Sequence, residues 1–244
     1  MLRSYFRTVP VARKFKYIHE QFSEFKSNRY RLLVQRLNAY SKPLVLDVGA
    51  NVGQFATDLF SYGYSGQLVS IEPSRISFEK LVFNCRKYPS WQGHNIAFGD
   101  QDGSQILNIA ANNGLSSSIL DMNEVHATEF PESQIIGKEE ILVQTLDNFL
   151  KTNSDLGEVS LLKIDVQGFE KNVILGAQEN ISKVRHCLIE VSLLELYENE
   201  ASLLEIVNLL DSSNHRVIDI HRGIKSKNGE LLQIDILTKQ KIPN

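Results

Sequence analysis

Asp47, Gly49, Asn51 and Gly53 stand at alternate positions in "LVLDVGANVGQF", an acid, two glycines and an amide on a turn that follows a short apolar run. An apolar strand feeding a glycine turn and then a helix is a seat for a nucleotide-like ligand, because the turn lets the backbone come close to it. The dinucleotide fingerprint G-x-G-x-x-G needs glycine at two further offsets, and counted from Gly49 these fall on Asn51 and Gln54. Paired phosphates lack their cradle here, and the carboxylate of Asp47 would repel them in a poorly solvated crevice. A nucleoside with a positive end suits that acid better. S-adenosylmethionine carries an ammonium and a sulfonium and no phosphate. Glu72 closes the next apolar run, "GQLVSIEP", where an acid accepts hydrogen bonds from ribose hydroxyls. Asp100, in "GDQDG", is within expected reach of an adenine amino group, with a plain polar turn as the alternative.

Two further acids end apolar runs, Asp165 in "VSLLKIDVQG" and Glu190 in "VRHCLIEVSL". Methyl transfer to a hydroxyl needs the acceptor oxygen held opposite the sulfur and a group that takes its proton. Asp165 is the first candidate for that base, or for orienting the hydroxyl, and Glu190 for a second carboxylate on the substrate. The structural alternative is that either acid caps a helix or pairs with Lys163 or Arg185. Asp165, Glu190 and Asp235 lie on three different strands and would suit Mg²⁺ if they converged. Asp235 falls in mid-hairpin, where local pairing is the commoner fate, so no metal is expected. Cys85 and Cys187 have no partner at ligand spacing, and the six histidines form no H-x-x-x-H pair, so no zinc site is read either.

These residues need elements to hold them. "LVLDVG" and "GQLVSIEP" alternate with helical patterns over 55–62 and 74–88, the latter capped by Ser74. "HNIAFGD" reads as a third strand. Residues 101–145 break the rhythm: short strand-like pieces such as "SQILNIA" and "EEILVQTL" flank "NNGLSSSIL", and the segment reads as an insertion with a flexible middle suited to a lid or substrate loop. The alternation resumes with "VSLLKIDVQG", a helix over 170–181, "VRHCLIEVSL" and a helix over 202–210. "HRVIDIHRG" and "ELLQIDILTK", joined through Asn228-Gly229, close the chain as an antiparallel hairpin. The βα rhythm predicts an α/β fold with a mostly parallel, doubly wound sheet, helices on both faces, and the hairpin at one end.

Hydrophobic residues make up 42% and charged residues 23%, which fits a globular chain and argues against disorder. No apolar run approaches a membrane span and no secretory leader is legible, so a cytoplasmic protein is expected. The net charge of −3 hides an uneven distribution. Residues 1–42 hold ten Lys/Arg against Glu20 and Glu24, a net of +8, which leaves −11 for the rest. This basic arm, with its interleaved aromatics, reads first as helices packed on the domain with a solvated face; a substrate or phospholipid contact is the alternative. The acidic body argues against nucleic acid.

The pieces "VLDVGANVGQF", "SIEPSRISFEKL", "NIAFGDQDG", "VQTLDNFL", "LLKIDVQGFEKNVILGA", "LIEVSLLELYENE" and "GELLQIDIL" resemble, in order, the FkbM family of S-adenosylmethionine-dependent methyltransferases. The resemblance spans about residues 43–238, and "LKIDVQGFEKNVILGA" is its most specific phrase. It implies a Rossmann-like methyltransferase domain over 43–244 with a seven-stranded sheet. It also implies O-methylation of a sugar, polysaccharide or secondary-metabolite hydroxyl. Asp47, Gly49, Asn51, Gly53 and Glu72 would bind the cofactor, with Asp100 in support. Position 167 is Gln where many members carry Glu; Asp165, Gly168 and Glu170 keep the pattern, so the change is expected to touch a supporting contact at most. A non-catalytic binding module or an NAD-dependent oxidoreductase are the alternatives.

Overall fold

β1 (Leu44–Val48) is buried from end to end, as a strand inside a parallel sheet must be. The computed structural model, which describes residues 28–241, sets it between β2 (Gln67–Ile71) and β7 (Val159–Ile164), both parallel to it. β3 (Trp91–His94) extends the sheet beyond β2, and β8 (Cys187–Ser192) extends it beyond β7. β10 (Gln233–Gln240) runs antiparallel to β8 and pairs outward with β9 (His215–Arg222). The order is thus β3-β2-β1-β7-β8-β10-β9, seven strands with the expected terminal hairpin.

Alternation along each strand divides the core into two layers. Leu44, Leu46, Val48, Leu162, Ile164, Ile189 and Ile236 face α5 (Leu146–Thr152), α6 (Glu170–Leu175) and α7 (Leu203–Ser212). Val45, Leu161, Leu188 and Leu237 face the other way. There they meet α2 (Gln54–Ser61), α3 (Arg75–Cys85) and α1, helical over residues 28–37, which buries Leu33, Val34 and Leu37. The basic arm is therefore helical and docked in its second half, while residues 1–27 lie outside the described residues. No helix among the described residues is long and apolar enough to cross a membrane.

Three expectations are corrected. "HNIAFGD" is not one strand: β3 ends at His94, and β4 (Ala97–Phe98) leaves for a second sheet. In that sheet, β4-β6-β5, β4 is joined by the two strand-like pieces of the segment read as an insertion, β5 (Gly103–Ala110) lying antiparallel to β6 (Ile135–Gln144). Its strands are framework, burying Ala97, Leu107, Ile141 and Val143, and only the stretch between them returns over the main sheet. The helix expected over 170–181 stops at Leu175. At Gly176 the chain passes so near the Gly99 carbonyl that a Cβ would lie 1.9 Å from its oxygen, so the helix end is wedged against that turn.

The same alternation aims the charges. Asp47 aligns with Lys163 across β1 and β7, and Glu190 with Asp235 across β8 and β10. All four occupy the parity of Val45, Leu161 and Leu188 in their strands, so they project toward α1 and α2 at the carboxyl end of the parallel strands. Ligands of open α/β sheets sit at that end.

Candidate active site

At that end lies a cleft of about 550 Å³. Gly49 turns the chain out of β1 with φ 76°, and its N–H donates to Ile71 O at 3.0 Å. A Cβ at Gly49 would stand 1.8 Å from the carbonyl oxygen of Asp165, so the first turn and the end of β7 touch backbone to backbone. Only glycine fits there. Asn51 also takes positive φ and donates its N–H to Glu72 Oε2 at 2.8 Å, while Ser74 N–H donates to Glu72 Oε1 at 2.9 Å. Glu72 thereby ties the two turns together on the cleft wall, and burial pushes its carboxyl up to about 7. Beside it Ile71, Pro73, Ala97, Phe98 and Phe169 give the wall an apolar stretch suited to a base.

Three of the six expected cofactor residues, Asp47, Gly53 and Asp100, do not line this wall; Gly49, Asn51 and Glu72 do. Asp47 is fully buried beneath the turn, with Oδ1 3.1 Å from Lys163 Nζ. Its charge is met by that lysine beneath the turn, and the acids that face the cleft are Glu72, Asp165 and Glu190. Gly53 opens α2 against Leu81 and Cys85, where a Cβ would clash at 2.7 Å with the Cys85 sulfur. Asp100 accepts from Asn172 Nδ2 at 3.1 Å.

Asp165 and Glu190 are brought together, through a residue that sequence reasoning had set aside. Gln167 Nε2 donates to Asp165 Oδ1 at 2.9 Å and to Glu190 Oε2 at 2.8 Å. It is in the wall itself, which corrects the expectation of a marginal contact. Gln233 Nε2 adds a second donor to Glu190 Oε2 at 3.1 Å. Both amides choose the same oxygen, and Oε1 has no hydrogen bond among the described residues. Burial, then Asp165, Asp235 and Glu170, hold the Glu190 carboxyl well above the ordinary range, against the pull of Lys163. A carboxylate so placed takes up a proton more readily than an ordinary one.

Lys163 is the second residue that the sequence reading used only as a structural alternative. Its Nζ bridges Asp47 and Asp165, the latter at 3.3 Å, over the face of Phe55. Burial works against its charge, yet Asp47 and Asp165 hold the ammonium above its usual value. Arg29 of α1 pairs with Asp235 at 2.7 Å, so Asp235 does not join Asp165 and Glu190 on a metal. Among the described residues no group of three His, Cys, Asp or Glu is placed to hold one.

Residues 111–119 cover the opening. Asn51 Nδ2 donates to Asn113 O, Ser118 Oγ to Gln167 O at 2.6 Å, and Tyr197 OH lies 3.2 Å from Ser116 O. Glu170, its carboxyl pushed up to about 7 chiefly by burial, accepts from Val166 and Gly168 N–H and braces the turn bearing Gln167. Lys227, at the hairpin tip, reaches Glu129 and Thr128 at the end of α4 (Glu124–Glu129). Phe130, Leu196 and Ile224 are the apolar part of the wall on that side.

This donor set fits S-adenosylmethionine. Among the described residues the cations of the wall, Arg29 and Lys163, are both committed to carboxylates, so a diphosphate would meet Glu72, Asp165 and Glu190 with no free positive partner from that set. A cationic nucleoside meets attraction at the same atoms.

Comparison with known proteins agrees. A family model described as the methyltransferase FkbM domain matches residues 47–217. The chain is 28% identical over 189 residues to 2-O-methyltransferase NoeI of Sinorhizobium fredii, covering 75% of this chain and 76% of that one. It is 23% identical over 186 residues to Methyltransferase 1 of Beauveria bassiana, covering 71% and 72%. Among solved structures, an rRNA methylase from Streptococcus thermophilus shares the fold with TM-score 0.51 at 10% identity, covering 88% of this chain and 95% of that one.

Proposed function

Because the chain belongs to the FkbM family of S-adenosylmethionine-dependent methyltransferases, we propose that it methylates a hydroxyl oxygen of a small polyol, a sugar or a related glycosidic compound. Family membership displaces the oxidoreductase alternative. The observation that carries the finer reading is Glu190: a half-buried carboxylate with a raised proton affinity, one oxygen pinned by two amides and the other without a hydrogen bond among the described residues. An amine acceptor can attack through its own lone pair, but an alcohol must shed a proton as it attacks, and this site has a group for that task. The O-methyltransferase named among the relatives supports the same chemistry.

S-adenosylmethionine, when bound, supplies an electrophilic methyl group on a sulfonium. The residues of this chain do the rest. Gly49, Asn51 and Glu72 hold the nucleoside. Asp165, fixed between Lys163 and Gln167, orients the acceptor hydroxyl, and Glu190 Oε1 receives its proton as the carbon–oxygen bond forms. Carboxylates and amides at 165, 167, 190 and 233 match a ring of hydroxyls, whereas the paired state of Arg29 and Lys163 leaves little for a phosphate backbone. Residues 111–119, with Phe130 and Leu196, would serve to exclude water from the reacting groups.

The test is transfer of a labelled methyl group to free sugars, glycosides, amines and RNA offered in parallel. Label in an alkali-stable ether of a sugar or polyol is expected. Label confined to amines or RNA overturns the hydroxyl reading.

Glu72 carries its own prediction. Ribose hydroxyls donate best to the ionised carboxylate, so affinity for S-adenosylhomocysteine should weaken as the pH falls through about 7, where Glu72 takes up its proton. Glu72→Gln should bind about tenfold more weakly at pH 8 and lose the pH dependence, since a charged hydrogen bond is worth roughly 1.5–3 kcal/mol. Titration calorimetry at pH 6 and pH 8 reads both effects. Equal affinities for the parent at the two pH values would remove Glu72 from the ribose.

A further inference from the structure

We propose that Gln167 is a positioning residue, an amide clamp that joins the two acids of the site and decides which oxygen of Glu190 takes the proton. The inference rests on the hydroxyl reading above but concerns a residue that reading leaves in the background.

A primary amide has two N–H donors and no charge. At Gln167 both are used, one on Asp165 Oδ1 and one on Glu190 Oε2, so a single neutral group spans acids carried by adjacent strands. The amide is itself fixed. Tyr197 OH lies 2.9 Å from its Oε1, Ser118 Oγ donates to its backbone carbonyl, and the backbone holds φ 58°, a conformation that a side chain of this size adopts only under constraint. Oε2 of Glu190 receives Gln167 and Gln233 together, so an incoming proton has only Oε1 to land on without displacing a donor.

Neutrality matters as much as reach. Glu190 faces Lys163 from β7 and Asp165 just past its end, Glu170 from α6 and Asp235 from β10. Asp235 is itself paired with Arg29 of α1 and aligned with His221 of β9. A carboxylate at 167 would add a third acid within hydrogen-bonding distance of two others. One of the three would then have to hold a proton before any substrate arrived. An amide stabilises the ionised form of both acids without adding charge, which limits how far their neighbours raise the Glu190 carboxyl and keeps its ionised form available as a base.

The experiment compares the parent with Gln167→Glu and Gln167→Asn. Asparagine keeps the amide and tolerates the left-handed backbone, but is one methylene too short to reach both acids. Two readouts are taken. The titration of Glu190 is followed by NMR of ¹³C-carboxyl glutamate, assigned by loss of the signal in Glu190→Gln, and the acid limb of kcat/KM is followed with whichever acceptor the parent methylates. Both variants are expected to raise the Glu190 midpoint by a pH unit or more. The kinetic limb should follow, about a tenfold loss in kcat/KM at a fixed pH on the limb, with affinity for S-adenosylhomocysteine unchanged. Midpoints within 0.3 unit of the parent in both variants (roughly a twofold effect) overturn the clamp whatever the acceptor proves to be. A moved midpoint in a protein that methylates no hydroxyl upholds the clamp and overturns the hydroxyl reading.

Discussion

Glu190→Gln will fold and lose two to four orders of magnitude in kcat, far more than it loses in affinity for S-adenosylhomocysteine. The size follows from removing a general base from a reaction whose nucleophile must be deprotonated, an effect on the order of 10²–10⁴. Glutamine is nearly the same shape, and its carbonyl can still accept from Gln167 and Gln233, so the bonds that anchor the side chain survive. The lost property is basicity alone. The pH profile supplies the sign. Ionised Glu190 is the active form and its carboxyl is held well above 4.5, so the parent's kcat/KM should fall with slope one as the pH drops through that raised value. Glu190→Gln should show a low, flat rate across the same window. A variant that keeps more than a tenth of the parent's kcat would pass the base role to Asp165.

The register behind this prediction was legible in part. "LLKID" and "LIEV" each set an acid at the polar end of an apolar strand, and neighbouring parallel strands with short turns bring such ends together, so the pairing of 165 with 190 could be anticipated. Glu72 was legible for the same reason, at the tip of the strand beside the glycine turn. Gln167 was passed over because a neutral amide one turn past a strand has no pattern of its own; its meaning comes from the distance to Glu190, 23 residues away in sequence. Asp47 was misjudged because its spacing from Gly49 says nothing about Lys163, which lies 116 residues on and claims its charge across the β1–β7 ladder. The strand-like pieces of residues 101–145 were legible, but their pairing into a separate small sheet was not: β5 and β6 bury little more than one face, so their pattern does not say which partner they take.

Lys163→Met is expected to be the most destabilising of the substitutions considered, by about 3–5 kcal/mol, because it leaves Asp47 as an uncompensated charge with no exposure to water. In a domain of this size that corresponds to a fall in Tm of about 10 °C. Asp165 is a third exposed on its side chain and can be rehydrated, so most of the penalty belongs to Asp47. The pH dependence identifies it. The penalty comes from the ionised form of Asp47, so it should be largest above neutral pH and shrink as acid protonates that carboxyl in the folded variant. Asp47→Leu combined with Lys163→Met removes both charges, and a well-packed apolar pair is often as stable as the ions it replaces. The double variant should therefore recover most of the lost Tm while staying poorly active, because Asp165 no longer has the ammonium that fixes it beside the acceptor. Recovery of stability without activity would separate the two duties of one lysine. Recovery of both would mean that the ion pair serves the fold alone, and that Gln167 by itself suffices to hold Asp165.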